Sequence, residues 1–279
     1  MGRCNLAEAL ISLARRPFSA TGKTVSVLGL GTVKFGRNQG VKYPGGDGFT
    51  LPTDNEISNL LDLCLDRGIN LLDTAPAYGT AEERLGKLMG SRRDKFFIVG
   101  KTGEEFSDGK SSHIFTAAHT RMSVERSLRR LNTDYLDCVM VHSSHRDVEV
   151  IDDTDVVATL LRMKDEGKIL SVGVSDYTLA GGKRAVALTD AVMVAYNRNY
   201  TTEKETIDYA RERGKAVLIK KGLASGHVDA IGSLAENIRF VLDTPGVTSL
   251  VFGSITPANI LSNVQGAGDA RATKMPSAQ

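Results

Sequence analysis

The sequence predicts an α/β fold made of one domain, a (β/α)8 TIM barrel, and two observations support the prediction. Short apolar runs rich in β-branched residues alternate with amphipathic stretches, and this pair recurs eight times along the chain. Eight such units in about 250 residues is the usual size of this barrel. The runs at 138–141 and 216–219 are apolar throughout, which is typical of parallel strands buried on both faces.

The predicted elements follow one order, in which a leading strand is followed by repeated helix–strand pairs. The strands cover 24–30, 69–72, 96–100, 136–141, 170–174, 191–195, 216–219 and 249–252. The helices cover 53–67, 81–89, 116–131, 153–166, 179–188 and 203–213, and two more begin at 233 and 256. Apolar residues at helical spacing, such as Ile57, Leu60 and Leu61, give the first helix a face that packs on the sheet.

Three of these helices carry a start signal. Thr53 with Glu56 and Ser233 with Glu236 are capping boxes, in which the hydroxyl and the carboxylate each bond a backbone N–H that the helix leaves free. The last helix begins with threonine and proline at 256–257, and proline at the first helical position is pre-set for a helix start.

The two ends of the chain are predicted to lie outside the barrel domain, which is assigned to residues 18–265. Residues 1–17 are an N-terminal extension. Residues 18–26, with a turn at 21–23, are predicted to form a hairpin that closes the bottom of the barrel. Residues 266–279 are small and polar, so we expect a short disordered tail that does not fold over the mouth as a lid.

Composition excludes several classes of protein. The 35 Lys and Arg residues against 33 Asp and Glu residues give a formal charge of +2, which disfavours nucleic-acid binding and an acidic disordered chain. No apolar run approaches the roughly 20 residues of a membrane span. Arg15 and Arg16 end the first apolar stretch, which disfavours a secretory signal. We therefore predict a cytoplasmic protein, a monomer or a small homo-oligomer, without nucleic-acid or membrane partners.

Cysteines and histidines give no sign of a metal site. Cys4, Cys64 and Cys138 are scattered and form no CxxC pair, so we expect reduced thiols, two of them packed in the core. His142 and His145 are close in sequence, but no third ligand follows at helical spacing. No metal is expected.

Polar side chains follow the predicted strands, where a TIM barrel places its active site. These residues are Asp73 and Tyr78, Lys101, His142, Ser175 and Asp176, Tyr196 and Asn197, Lys220 and Lys221, and Gly253 and Ser254. If the barrel closes as predicted, they meet at one mouth. A carboxylate, a phenol, an ammonium group and an imidazole from adjacent strands form a set suited to proton transfer.

The expected chemistry of this set is direct. A tyrosine with an ordinary pKa of about 10 is a weak acid at neutral pH, and the Lys101 ammonium would lower the pKa of Tyr78 by stabilising the phenolate. Asp73 would supply the counter-charge that a buried ammonium needs. His142 would orient the reacting oxygen.

Two long motifs carry a resemblance to a known family. The first runs from 68 to 79, reads Gly-Ile-Asn-Leu-Leu-Asp-Thr-Ala-Pro-Ala-Tyr-Gly, and continues at 81–82 and 85–86. The second is Ser-Leu-Arg-Arg-Leu-Asn-Thr-Asp-Tyr-Leu-Asp at 127–137, which leads into His142. Shorter matches follow in order at 29–32, 172–175 and 253–257. From about Thr24 to Val264 the chain resembles the aldo-keto reductase superfamily.

The resemblance implies a (β/α)8 barrel that reduces aldehydes or ketones with NADPH, or with NADH, by direct hydride transfer. It implies that Tyr78 is the proton donor, that Lys101 lowers the pKa of Tyr78, that Asp73 holds Lys101, and that His142 positions the carbonyl. No metal or covalent intermediate is needed. The cofactor-binding residues are then Gly31, Thr32, Ser175, Asp176, Lys220, Lys221, Gly253, Ser254, Thr256, Asn259 and Asn263.

Several positions depart from the family pattern. Asp176 stands where an asparagine usually holds the nicotinamide carboxamide, and Met193 stands where a glutamine usually does so. Lys220 replaces a tyrosine that often stacks on the nicotinamide ring. Asn259 replaces an arginine that grips the 2′-phosphate of NADPH, and Gly253 replaces a common lysine. We therefore expect a reduced preference for NADPH over NADH.

Two alternatives stay open beside the reductase. One is a Schiff-base aldolase on the same barrel that uses Lys101 or Lys220, because barrel aldolases carry lysines at strand ends. The other is a catalytically weak nucleotide-binding sensor or partner subunit, which the altered carboxamide contacts favour. A Rossmann domain is rejected, because the Gly29-Leu30-Gly31 segment lacks a third glycine and no acidic residue follows at a suitable distance.

Overall fold

A computed structural model describes residues 13–41, 46, 48–226 and 232–268 of the chain. The strands are β1 Arg15–Pro17, β2 Thr24–Ser26, β3 Leu28–Gly31, β4 Leu71–Asp73, β5 Phe97–Thr102, β6 Glu104–Ser107, β7 Lys110–His113, β8 Cys138–His142, β9 Val172–Ser175, β10 Ala191–Ala195, β11 Ala216–Lys220 and β12 Ser249–Gly253. Eight of them form a closed parallel barrel in the order β3-β4-β5-β8-β9-β10-β11-β12, and β12 pairs with β3. The predicted (β/α)8 barrel is confirmed.

Helices connect the barrel strands and cover their outer face. They are α1 Val33–Gly36, α2 Asp54–Asp66, α3 Ala81–Met89, α4 Ala117–Leu131, α5 Asp147–Asp152, α6 Val156–Asp165, α7 Leu179–Leu188, α8 Lys204–Glu212, α9 Leu234–Leu242 and α10 Pro257–Ala267. Single 3-10 turns occur at Ser19–Thr21, Gly90–Lys95 and Ala224–Gly226. Within the described ranges, no helix has both the length and the apolar composition needed to cross a membrane.

The predicted helix starts are present as local hydrogen bonds. The backbone N–H of Thr53 donates to Glu56 Oε2 at 2.7 Å, and the N–H of Glu56 donates to Thr53 Oγ1 at 3.3 Å. The same reciprocal pair joins Ser233 and Glu236 at 3.1 and 3.3 Å. Both capping boxes are confirmed, and α10 begins at Pro257 as the sequence indicates.

The structure differs from the predicted elements most at five places. The first strand, predicted over 24–30, is divided at Val27 into β2 and β3, because Ser26 bonds Leu28 O at 2.6 Å and turns the chain there. The helix predicted over 153–166 begins at Val156, and α1 and α5 were not predicted. The loop after β5 contains the antiparallel hairpin β6–β7.

An N-terminal hairpin closes the bottom of the barrel. It pairs β1 with β2, so it begins at Arg15 rather than at the predicted Phe18. Phe18 and Val25 are fully buried and belong to the core inside the barrel. The Phe18 ring packs on the Phe97 ring with 4.4 Å between centroids. The hairpin therefore fills the end of the barrel opposite the strand C-termini.

Arg16, in the same hairpin, joins the first part of the fold to the last. Its buried guanidinium donates to Val247 O at 2.7 Å and to Leu242 O at 2.8 Å. Both carbonyls lie in the last helix–strand unit, at the end of α9 and just before β12. Arg16 thus supports the closure that the β12–β3 pairing makes.

Packing between the helices and the barrel places strict demands on a few residues. Gly86 lets α3 approach α4 closely, since a Cβ at that position would lie 2.0 Å from Arg130 O.

Cys64 and Cys138 are buried free thiols, and burial raises the pKa of each to about 12. They are therefore inert packing residues, whereas Cys4 lies outside the described residues.

The C-terminal helix reaches beyond the predicted boundary of the barrel domain. α10 ends at Ala267, so Gly266 and Ala267 are helical rather than part of a tail. A Cβ at Gly266 would lie 2.9 Å from Ile238 Cδ1, so this part of the helix packs on α9. The rest of the predicted tail, from 269 onward, and residues 1–12 of the predicted extension lie outside the described residues.

Candidate active site

A cavity of about 780 Å³ opens at the C-terminal ends of the barrel strands. It contains most of the polar residues that the sequence singled out. Those that line it are Gly31, Asp73, Tyr78, Lys101, His142, Ser175, Lys220, Lys221, Gly253, Ser254, Thr256, Asn259 and Asn263. Met193 lies in its wall as well. Since these residues come from strands far apart in sequence, barrel closure brings them together.

Lys101 and Asp73 form a buried ion pair on the neighbouring strands β5 and β4. The Lys101 ammonium donates to Asp73 Oδ1 and, at 3.3 Å, to Thr74 O. Lys101 is 2% exposed and Asp73 is 4% exposed. Removing two charges from water is costly, and the direct contact between them offsets that cost.

Tyr78 lies beside this pair in the loop after β4. The Lys101 Nζ is 4.9 Å from the centre of its ring. The loop is held by a close approach to α1, because Gly79 has a φ of +62° and a Cβ there would lie 2.1 Å from Gly36 O. A left-handed backbone and such crowding both require glycine. The Tyr78 ring is therefore held beside the Lys101 ammonium.

His142, at the end of β8, faces Tyr78 across the cavity. The two rings meet edge to face with centroids 6.3 Å apart. Nδ1 of His142 lies 2.7 Å from Oε2 of Glu104 on β6. This contact does not have the geometry of a hydrogen bond, and it is an ion pair only when the ring is protonated. Burial lowers the pKa of His142, and Glu104 opposes that effect.

Glu104 is a site residue that the sequence reasoning missed. Burial would raise the pKa of its carboxyl, but His142, the Ser111 hydroxyl and Arg37 together hold the pKa at about 2. Ser111 donates to Oε1 at 2.6 Å, and Arg37 Nη1 lies 3.8 Å from the same oxygen. No spacing rule joins Glu104 to His142, because the contact depends on the position of the β6–β7 hairpin in the folded chain.

Lys220, on the opposite side of the cavity, has different partners. Its ammonium donates to Ser175 Oγ at 3.0 Å and to the backbone O of Asp176. It also lies 4.4 Å from the centre of the Tyr177 ring. Among the described residues it forms no ion pair with a carboxylate within 4 Å. Burial, supported by repulsion from Lys221, lowers the pKa of Lys220 to about 8 despite the attraction of Asp176.

Two of the predicted cofactor residues do not line the cavity. The Thr32 hydroxyl and backbone N–H both donate to Asp73 O, at 3.0 and 2.9 Å, so Thr32 fixes the end of β4. The Asp176 carboxyl points between α7 and α8, against Gly182 and Thr206. Both of its oxygens are buried and accept no hydrogen bond from the described residues.

The surroundings of the Asp176 carboxyl also disfavour its charged form. Burial raises its pKa well above the ordinary value, and the carboxylates of Glu203 and Asp147 add to the effect, while Lys220 opposes it. A side chain in this environment favours the neutral acid. Asp176 therefore contributes its backbone carbonyl to the mouth, through Lys220, rather than its carboxyl.

The segment after β12 suits a phosphate group. The backbone N–H of Thr256 donates to Ser254 Oγ at 3.1 Å, which shapes the turn before α10. The first N–H groups of a helix lack partners within the helix and attract anions. Asn259 and Asn263 line the same side, and the ammonium groups of Lys220 and Lys221 face the cavity. Hydroxyl, amide and ammonium donors in a cavity of this size fit a dinucleotide.

The fold and this mouth define a class, a (β/α)8 barrel with acid–base groups on one side and anion-binding groups on the other. The model of the aldo/keto reductase family matches residues 27–231. Aldo-keto reductase YhdN of Bacillus subtilis is 31% identical over 228 residues, which cover 79% of this chain and 64% of YhdN. D-arabinose 1-dehydrogenase of Saccharomyces cerevisiae is 31% identical over 136 residues, which cover 46% of this chain and 38% of that protein.

Solved structures agree with the sequence matches. PA4992 of Pseudomonas aeruginosa, assigned as an aldo-keto reductase, superposes with a TM-score of 0.84 at 44% identity, over 93% of this chain and 96% of that one. The holo form of AKR11C1 from Bacillus halodurans, at 22% identity and a TM-score of 0.76, shares the fold. The chain belongs to the aldo/keto reductase family. It covers 38% to 64% of the length of the two curated relatives.

No cluster of metal ligands accompanies this mouth. Across the part of the chain that the structure describes, no three His, Cys, Asp or Glu side chains are grouped so that they could hold a metal ion. His142 contacts Glu104, and the His145 ring packs on the Tyr177 ring with 4.5 Å between centroids. The two histidines therefore have separate neighbours.

Proposed function

We propose that the chain is an NAD(P)H-dependent reductase of aldehydes and ketones that also oxidises alcohols in the reverse direction. The observation that carries the proposal is the grouping of Tyr78, Lys101 and His142 around one cavity, with Asp73 paired to Lys101. The names of the relatives, a reductase and a dehydrogenase, support an oxidoreductase. Fold alone does not decide function, so the proposal depends on this grouping.

Each of the four residues has one task in the proposed reaction. When bound, NAD(P)H supplies a hydride to the carbonyl carbon. Tyr78 gives its phenolic proton to the carbonyl oxygen as negative charge develops there. The Lys101 ammonium stabilises the phenolate that remains, and Asp73 keeps that ammonium in place. His142 faces the reacting oxygen and orients it.

We propose NADPH as the cofactor, with NADH as the alternative. Ser175 and Lys220 would hold the nicotinamide end, since they line the cavity and bond each other. Ser254, Thr256 and Asn259 would hold a phosphate at the start of α10. An amide at position 259 lacks the charge and the forked contact of an arginine, so the advantage of NADPH over NADH should be small.

A panel of aldehydes, followed by the loss of absorbance of the reduced cofactor, tests the proposal directly. We expect turnover of several small and aromatic aldehydes, because one methylene in an apolar pocket changes binding by only about 1–3 kcal/mol. If the chain binds NADPH but does not oxidise it with any aldehyde or ketone of the panel, the result would instead favour the nucleotide-binding sensor. Cofactor titration and turnover on the same preparation separate the two.

A Schiff-base aldolase is the second candidate, and one observation favours it. Lys220 faces the cavity without a carboxylate partner among the described residues, and its lowered pKa leaves more free amine at neutral pH than an ordinary lysine has. Lys101 is held by Asp73 and suits this role less. Borohydride trapping with an aldehyde, in the absence of cofactor, tests this candidate. If the chain is a Schiff-base aldolase, a stable adduct should form at Lys220.

We also propose that the partner is a small carbonyl compound and that nucleic acid is not bound. The near-zero net charge of the chain supports this, since nucleic-acid binding needs a basic surface. A cytoplasmic location and a monomeric or small homo-oligomeric state stay predictions from the sequence. Light scattering after size-exclusion chromatography would measure the oligomeric state.

A further inference from the structure

The ammonium group of Lys220 carries a charge that no carboxylate in direct contact balances among the described residues. Its hydrogen-bond acceptors, Ser175 Oγ at 3.0 Å and the backbone O of Asp176, are both neutral. The carboxyl of Asp176 lies against Gly182 and Thr206 instead. At neutral pH the ammonium form predominates, because the pKa of Lys220, about 8, lies above neutrality. The cavity wall therefore presents a positive charge at this point.

The acids around Lys220 do not remove this charge, because they have other partners or favour the neutral form. Asp147 accepts from the Thr178 hydroxyl at 2.8 Å, and Glu203 accepts from the Thr206 hydroxyl at 2.7 Å. Burial raises the pKa of Glu203 as it does that of Asp176. The ionisable groups whose charges interact with that of Lys220 are Lys101, His142, Asp147, Asp176, Glu203 and Lys221.

The charge of Lys220 is felt on the acid–base side of the cavity. Lys220 is one of the cations that lower the pKa of His142, and Lys101 is one of those that lower the pKa of Lys220. All three residues line the same cavity. A charged group placed in the part of the cavity that they share therefore interacts with the Lys220 ammonium.

The nicotinamide ring of the proposed cofactor would lie in this shared part. Hydride transfer requires the reacting atoms to approach within about 3–3.5 Å of each other. The ring must therefore lie next to a carbonyl group that faces Tyr78 and His142. The phosphate groups would lie at the start of α10, where Ser254 and Thr256 line the cavity.

The two redox forms of the cofactor differ in charge at this ring. The oxidised ring is a pyridinium with one positive charge, and the reduced ring is neutral. The phosphate groups are the same in both forms, so a cation near the phosphates attracts both forms equally. A cation near the ring repels the oxidised form alone.

We propose that Lys220 makes the cofactor site selective for the reduced form, because its ammonium repels the pyridinium ring of NAD(P)⁺. The proposal rests on the proposed function in one respect, namely that a nicotinamide dinucleotide is the cofactor. The site would then fill with the reduced form and release the oxidised form readily. When both forms are present at similar concentrations, carbonyl reduction is therefore the favoured direction.

Calorimetric titration of the full chain with NADPH and with NADP⁺ tests the proposal without turnover. The quantity compared is the dissociation constant of NADP⁺ divided by that of NADPH, in which contacts common to both forms cancel. In Lys220→Met this ratio should fall by about tenfold or more, because a unit charge near the ring is lost. Lys220→Gln is a second neutral variant, and Lys220→Arg, which keeps the charge, should keep a ratio close to that of the wild type. An equal ratio in the wild type and the neutral variants would overturn the proposal.

Lys221→Met is the matched control. Lys221 is the next residue and lines the same cavity, but its side chain is exposed, so water and salt screen its charge. We expect this variant to change the ratio by less than about threefold. If Lys220→Met and Lys221→Met lower the ratio equally, the effect is one of overall charge and the proposed role of Lys220 is wrong.

A cofactor fragment separates the ring from the phosphates. 2′-Phospho-ADP-ribose carries all the phosphate groups of NADPH but no nicotinamide, so its dissociation constant should be nearly the same for the wild type and Lys220→Met. If Lys220→Met weakens the fragment and both dinucleotides by one factor, Lys220 binds phosphate and the proposal is wrong. A chain that binds neither dinucleotide would refute the proposed reductase and this selectivity together, whereas binding of both with an unchanged ratio would refute the selectivity alone.

Discussion

Lys101 and Lys220 stand at corresponding places in the barrel, yet they are held in opposite ways. Each ends or nearly ends a barrel strand, β5 or β11, and each faces the same cavity. Lys101 is ion-paired with Asp73 from the neighbouring strand. Lys220 is held by the neutral oxygens of Ser175 and Asp176, while the carboxyl of Asp176 points away.

The contrast shows how one fold gives two lysines different chemistry. A carboxylate in contact keeps a buried ammonium charged and immobile, which suits a residue that must stabilise a nearby phenolate. Neutral oxygens satisfy the N–H donors of Lys220 but do not balance its charge, so its pKa falls. That lysine is suited to receive an anion or, as free amine, a carbonyl.

The largest effect is expected from removing the phenolic hydroxyl of Tyr78, the residue beside Lys101. Tyr78→Phe removes the group that gives the proton while the ring stays, so kcat/KM for aldehyde reduction should fall by about 10²- to 10⁴-fold. The dissociation constant for NADPH, measured by titration, should change little. Tyr177→Phe, beside Lys220, is the control and should cost less than tenfold. Retention of activity in Tyr78→Phe would show that Tyr78 is not the proton donor.

The next effect concerns stability and separates the two lysines directly. Lys101→Met leaves the Asp73 carboxylate buried without its partner, which should lower the free energy of unfolding by about 3–5 kcal/mol. Lys220→Met leaves no carboxylate in direct contact unpaired, and the lowered pKa of Lys220 means that the fold disfavours its charge. The free energy of unfolding should therefore fall by no more than about 1 kcal/mol. Denaturant unfolding at neutral pH measures both. Equal losses would mean that the ion pair adds nothing beyond ordinary packing.

A smaller effect is expected where the cofactor phosphate would lie. Asn259→Arg adds a charge-assisted contact worth roughly 1.5–3 kcal/mol, so the preference for NADPH over NADH should rise by about 10- to 100-fold. Dissociation constants of both cofactors for the two proteins measure this. The same ratio in both would show that position 259 does not face the 2′-phosphate.

A further effect is the response of stability to alkaline pH. The pKa of Lys220 is about 8 in the folded protein and about 10.4 in an unfolded chain. Between these values the unfolded chain binds more protons, so stability rises with pH. The free energy of unfolding of the wild type should therefore gain on that of Lys220→Met between about pH 8 and pH 10. A constant difference over this range would mean that Lys220 titrates normally.

The regular parts of the fold could be predicted because local pattern and global packing agree there. The strand 191–195 and the helices 81–89 and 179–188 have the predicted bounds. The β6–β7 hairpin was not predicted, because its residues are mostly polar and exposed and show no alternation of apolar side chains. Its turn did leave a signal, since Asp108 and Gly109 both have positive φ, as the Asp-Gly pair of a tight hairpin turn requires.

The candidate site could be predicted only in part, for a similar reason. Asp73, Lys101 and His142 lie at or next to strand ends and Tyr78 lies in the loop after β4, and barrel topology brings such positions together. The direction of a side chain just after a strand depends on tertiary packing. Asp176 follows β9 but points at Gly182 and Thr206, and its sequence neighbourhood gives no sign of this.

The bonds of Arg16 to Leu242 O and Val247 O bear on the order in which the chain is synthesised. The acceptors follow Arg16 by 226 and 231 residues, so the hairpin leaves the ribosome well before they do. Until they emerge, a guanidinium meant for a buried site stays in water, and β3 lacks its partner β12. The nascent barrel thus cannot be completed unit by unit, and its closure is deferred until nearly all of it has been made.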